Sequence, residues 1–232
     1  MSEREKILGR IREALRLSAP RPGEHGDHAG HDHMPARKLS APADLRRWLP
    51  SVGDTFEQRV AAFAAQSTDL RTEFHLLDSR DAALAKLKEV AQANGWTRIA
   101  SHRTELTDAA CAALALPTLV TDGGYAAPDL ERCDAGLTAC DALIAQTGSV
   151  LITTRSAGGR GLSVLPPHHV VLARREQLLP DLPAAFAFLR EKYGANYPSF
   201  MSVITGPSRT GDIERILVLG AHGPKKLTVL CY

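Results

Sequence analysis

The sequence predicts an α/β fold, a partly parallel sheet flanked by helices, with a separate helical appendage at its amino terminus. Three observations predict it. Short apolar β-type runs alternate with helical periodicities from Asn94-Gly95 onward, the pattern of strands joined through helices. A Pro- and Gly-rich stretch, residues 18–43, separates the first helix from the rest. The 232 residues, 44% apolar and 23% charged, suit one large domain with an appendage, at roughly 100–200 residues per domain.

Taken in order, Ser2 and Glu5 form an S-x-x-E capping box ahead of Ile7, Leu8, Ile11 and Leu15, so a helix is expected over 1–17. The linker 18–43 contains Pro20, Pro22, Pro35 and Pro42, and the main domain is expected over 44–232. Phe56, Val60 and Phe63 mark a second helix. Asp78 or Ser79 caps a third, carrying Leu84, Leu87 and Ala91 and stopped at Asn94-Gly95, a left-handed terminator. Trp96–Ala100 reads as a strand, Asp108–Leu116 as a helix and Thr118–Thr121 as a strand. Ala142–Ala145 and Ser149–Thr153 are β-type runs about Thr147-Gly148, and His169–Ala173 is a further strand. Asp181 caps a helix with Leu182, Phe186, Leu189 and Tyr193 on one face, and Phe200–Thr205 and Leu227–Cys231 close the pattern as strands.

Composition narrows the function classes. A formal net charge of +2 gives no nucleic-acid footprint. No apolar run reaches the ~18–20 residues of a membrane span, and the charged start lacks a signal-peptide centre. A cytoplasmic protein is therefore expected. Cys111, Cys133, Cys140 and Cys231 include no C-x-x-C pair, so neither an iron–sulfur cluster nor a zinc site is signalled. No G-x-G-x-x-G follows a strand, so no nicotinamide motif is present. The cofactor is left unknown.

Candidate chemistry sits in the carboxyl-terminal half. In QTGSVLITTRSAGGRGLSVLPPHH, a strand leads to a glycine-rich loop with Arg155 and Arg160, whose planar forks match carboxylate or phosphate. Gly148, Ser149 and His168 flank that loop as further ligand contacts. The competing reading is a surface hairpin with solvated arginines. In TGPSRTGDIE, Gly206, Ser208, Arg209 and Thr210 offer donors and a cation after an apolar strand. Asp212 is the candidate acid or base, against the alternative of a self-satisfied capped turn. In GAHGP, His222 is a candidate proton carrier beside Gly223, or a plain turn residue. Loops outside the carboxyl ends of strands bind ligands in open α/β sheets. These loops are accordingly expected to meet in one positively biased pocket containing Arg160, Ser208 and His222. His25, His28, His31 and His33 are candidate metal ligands within the linker. They read equally as a polar tract with adventitious affinity, and stand outside the proposed centre.

Four stretches, REKILGRIREAL, QTGSVLITT, LPPHHVVLA and TGPSRTGDIERILVLGAHGP, resemble the lactate-utilisation (LUD) domain family. The last is the most specific, matching GPS-x-T-x-D-I-E followed by G-x-HGP. Pro20 to Trp48 has no counterpart in the resemblance. The resemblance implies a fold similar to the sugar-phosphate isomerases, CoA transferases and formyltetrahydrofolate cyclo-ligase. It also implies a role in oxidising L-lactate to pyruvate beside iron–sulfur partner proteins. On that basis the chain is expected to be an accessory subunit with no redox centre of its own, binding a small anionic ligand, those partners, or both. Alternatives are a stand-alone enzyme acting on an acyl-CoA, phosphosugar or folate, with Arg160 and Arg209 clamping the anion, and a metal-handling protein using the histidine tract.

Overall fold

The computed structural model describes Glu5 and residues 51–210 and 218–232. Apart from Glu5, the expected first helix lies outside these residues, as do the linker with its four histidines and Asp212. The described residues from 51 to 232 form one compact unit.

Helix α1 (Phe56–Leu70) starts at a capping box between Thr55 and Gln58 and stops where Arg71 turns left-handed at φ 62°. It leads into β1 (Glu73–Leu76). Ser79 caps α2 (Arg80–Ala93) through the Ala82 amide, and Gly95, at φ 62°, follows as the sequence predicts. After β2 (Ile99–Ser101) comes α3 (Glu105–Leu114), capped by Thr104. That cap starts the helix three residues earlier than its apolar spacing predicts. Then come β3 (Thr118–Val120), α4 (Ala127–Glu131) and β4 (Ala135–Ala139).

A hairpin of β5 (Ala142–Ile144) and β6 (Ser149–Thr153) runs into the one-turn helix α5 (Thr154–Ala157). Next are β7 (His168–Ala173), β8 (Leu178–Leu179) and α6 (Leu182–Tyr193), capped by Asp181 as expected. The chain closes with β9 (Met201–Ile204), the pair β10 (Arg209–Thr210) and β11 (Val218–Leu219), and β12 (Lys226–Cys231).

These strands form two principal sheets. Six run parallel in the order β1-β12-β7-β4-β2-β3, and four make a second sheet, β8-β5-β6-β9. Parallel sheets need both faces covered. On one face Val170, Leu172 and Leu230 meet Leu87, Val90, Trp96 and Leu106 from α2, α3 and the turn between α2 and β2. On the other, Val171, Ala173, Val229 and Cys231 pack against Phe63 of α1 and against Leu143, Val150 and Ile152 of the second sheet. Helix α6 then covers the outer side of that second sheet through Ala185, Leu189 and Tyr193.

The reversal between the sheets occurs at Cys140-Asp141, where β4 ends and β5 begins. From α5 the chain passes back along β4, where a Cβ on Gly136 would lie 2.3 Å from the Leu162 carbonyl oxygen. Glycine is what permits that approach. Among the described residues no helix is long and apolar enough to cross a membrane.

Candidate functional site

The β5–β6 turn lies against the end of α1. Gly148, at φ 62°, has no room for a Cβ, which would stand 2.7 Å from Cβ of Gln66. The adjacent Ser149 is buried, its Oγ 2.8 Å from Thr205 Oγ1 and 2.7 Å from Thr147 Oγ1. Gly206, at φ 79°, passes Leu70, and the Arg209 guanidinium approaches the same spot.

Two loops then lock together. The Ser208 amide donates to the Pro224 carbonyl and the Gly220 amide to the Ser208 carbonyl, each at 2.9 Å. The His222 amide donates to Ser208 Oγ at 3.4 Å. Gly223 lets this contact form, since a Cβ there would stand 3.2 Å from Cβ of Ser208. Thr210 belongs to the short β10–β11 pair that follows. The Lys225 amide is held by the Pro167 carbonyl at 2.8 Å. Gly148, Ser149, Gly206, Ser208, Arg209, His222 and Gly223 therefore share one region, beside the amino-terminal ends of β1, β7 and β12.

The Arg209 and Lys225 side chains form no ion pair among the described residues, and the Ser208 and Thr205 hydroxyls stand with them. Such a set can receive a small anion through a cation and neutral donors.

This is not the edge that sequence reasoning expects. The TGPSRT segment does follow the carboxyl end of a strand, but β9 belongs to the second sheet. That sheet folds back over the first, so β9 descends toward the amino-terminal edge of the parallel strands.

Arg155 and Arg160 lie at the opposite edge. The Arg155 guanidinium stacks 5.0 Å from the Tyr193 ring centroid and donates to the Asn196 carbonyl. Arg160 sits 5.2 Å from the Phe200 ring centroid. From Phe200 to Thr205 the chain advances roughly 17 Å, at about 3.3 Å per residue. Arg160 thus stands well apart from Ser208 and His222, and the three do not share a pocket. His168 begins β7 at the amino edge but turns inward. Its Nε2 lies 2.8 Å from Thr228 Oγ1, which donates to Glu73 at 3.0 Å, and its ring meets Trp96 edge-on. Burial holds His168 down to about 4 and His169, whose Nε2 meets Thr138 at 2.9 Å, down to about 3.

A second polar group, absent from the sequence-based candidates, occupies the carboxyl edge. The chain leaves β2 toward β3 but leaves β4 toward β7 in the other direction, so the strand order switches between β2 and β4. Ligand crevices of open α/β sheets form at such points. Asp141, fully buried, accepts from Lys192 Nζ at 2.7 Å and from the Tyr193 hydroxyl at 2.5 Å. Burial pushes its carboxyl up, but the donors around it, Lys192 foremost, outweigh that and hold it below the usual carboxylate range. Beside it, His102 is lowered by burial, against the opposing pull of the Ser156 backbone and Asp122. Asp141 Oδ2 and His102 Nε2 are buried and meet no hydrogen-bond partner among the described residues. The signal for Asp141 is plain in retrospect: it is the single charge within the otherwise uncharged stretch Ala135–Ala145. Among the described residues no group of three or more His, Cys, Asp or Glu is arranged to hold a metal ion.

Fold and site together define a doubly covered α/β protein with a folded-back second sheet and two polar regions at opposite strand ends. A crystal structure of a DUF162 family protein from Deinococcus radiodurans has this fold, with a TM-score of 0.58 and 18% identity over 77% of this chain and 99% of that one. The LUD domain matches residues 60–232, and the chain belongs to that family. Lactate utilization protein C of Anoxybacillus flavithermus is 38% identical over 100 residues, and that of a Geobacillus species 34% over 102. Each alignment spans 43% of this chain and 44% and 42% of the relatives, respectively.

Proposed function

We propose that this chain serves L-lactate utilisation in the cytoplasm. It acts as an accessory subunit that binds a small anion at the amino-edge loops, beside iron–sulfur partners that carry the electrons. The names of its relatives supply the pathway. The single structural observation supporting the site is the convergence of Ser149, Thr205, Ser208 and the Arg209 cation around two glycine turns. Thermal-shift titration of the whole chain with L-lactate, pyruvate and phosphate tests it. At least one anion raises the melting temperature, Arg209→Ala abolishes the shift, and Arg155→Ala leaves it. A shift that persists in Arg209→Ala removes the loops from the reading. Loss of growth on L-lactate after deletion, with rescue by the intact gene, tests the pathway role.

One observation favours a second reading, a stand-alone enzyme. The Asp141 oxygen and His102 nitrogen that have no partner among the described residues lie at the strand-order switch, where an acid or base could act. Turnover of acyl-CoA, phosphosugar or folate substrates, lost in Asp141→Asn, would replace the accessory role.

A further inference from the structure

Four of the six large apolar side chains exposed among the described residues lie on one patch: Phe186, Tyr197, Met201 and Val203. They belong to α6, the segment after it, and the outer side of β9. Clustered apolar exposure of this kind marks an interaction site more often than chance placement.

The patch is hollow. Its groove encloses about 570 Å³, within the range of small-molecule sites. The buried Leu151 and Leu189 make the floor, and the four exposed side chains make the walls. β9 ends the four-stranded sheet, and α6 contacts mainly β5 at its centre. Among the described residues the sheet's outer face is therefore left exposed along β9, at Met201 and Val203, while β6 beside it is buried under α6.

Charge says what fits. Arg190 stands in the lining, and its guanidinium makes no hydrogen bond or ion pair among the described residues. Arg155 is nearby over Tyr193, also without a carboxylate partner. The other cation of that helix, Lys192, is already committed to Asp141. An apolar trough with one uncommitted planar cation at its rim complements a carboxylate carried on an apolar tail. The flexible Met201 wall can adapt to tail length.

We propose that this groove binds medium-chain aliphatic carboxylates, with the tail along Leu151, Leu189 and Val203 and the carboxylate on Arg190. The site lies on the outer face of the second sheet and is independent of the amino-edge loops.

Calorimetric titration of the full chain with decanoate and with decanol, both below their aggregation thresholds, tests it. Saturable one-to-one binding of decanoate, stronger than that of decanol, is expected. Arg190→Gln lowers decanoate affinity about tenfold or more, the worth of a charge-assisted contact, and leaves decanol unchanged. Val203→Asp weakens both ligands. Val203 is 39% exposed, so the variant should fold, and circular dichroism checks that it does; Arg190→Gln decides the matter if it does not. Absent or unsaturable binding overturns the proposal, as does equal binding of both ligands regardless of Arg190. So does a concentration-dependent dimer broken by Met201→Lys, since a second copy would then be the occupant. Arg209→Ala leaves decanoate binding intact, which separates this test from that of the anion loops.

Discussion

Acidification from pH 7 to pH 5 should destabilise this protein through two adjacent histidines at the heart of its sheet. His168 and His169 are 3% and 1% exposed. Burial is the main cause that lowers both below their ordinary 6.5, to about 4 and about 3. Both stay neutral in the folded state throughout this range. In the unfolded chain each takes up a proton as pH falls through 6.5. The unfolded state then binds more protons, so the stability these residues contribute is complete above that pH and declines below it. At pH 5 each site lies some 1.5 units below its unfolded value, and at 1.36 kcal/mol per unit the loss is about 2 kcal/mol apiece, or about 4 kcal/mol together. The loss continues toward the folded values near 4 and 3. Urea denaturation at pH 7, 6 and 5 measures it. His169→Gln, neutral at every pH, should pay a fixed penalty but show a pH slope shallower by about 2 kcal/mol over the same range. Equal stability of the native chain at pH 7 and 5 would refute the reasoning, as would an unchanged slope in the variant.

Two further outcomes can be checked by denaturation. Gly136→Ala places a Cβ 2.3 Å from the Leu162 carbonyl and should cost at least the 1–3 kcal/mol typical of overpacking; a variant as stable as the parent would show that residues 158–165 yield freely. Lys192→Met leaves the fully buried Asp141 carboxylate with the Tyr193 hydroxyl as its donor and should cost about 1.5–3 kcal/mol, the worth of a charged hydrogen bond. Lys86→Met breaks a solvent-facing pair with Glu89 and should cost no more than about 1 kcal/mol. Equal costs would mean the Asp141 cluster contributes nothing beyond a surface contact.

The elements with local chemistry of their own were legible in the sequence. Ser79 with Asn94-Gly95 delimits α2, Asp181 starts α6, and Gly148 supplies the hairpin turn. Strands β1 and β4 carried no such mark. β1 is a short edge strand reading Glu-Phe-His-Leu, and β4 is Ala-Gly-Leu-Thr-Ala, whose small residues have low β propensity and are selected by contact with Leu162 and Pro166 instead. For the site, the loops around Ser208 and His222 could be paired by sequence because both follow apolar runs. Their edge could not be assigned, because it depends on the second sheet folding back over the first. Arg160 too lies in a glycine-rich loop after an apolar strand, β6, but that strand runs antiparallel to β9, so its loop opens at the opposite edge. Asp141 and Tyr193, 52 positions apart, meet only once α6 packs on β5.

Strand β4 passes into β5 with only Cys140 and Asp141 between them. The backbone thus carries mechanical load from one hydrogen-bonded array directly into the other. No slack loop exists there to absorb a shear, and Asp141 is itself clamped by α6. The two arrays should accordingly lose amide protection together on opening, as one cooperative unit rather than as two lobes about a joint.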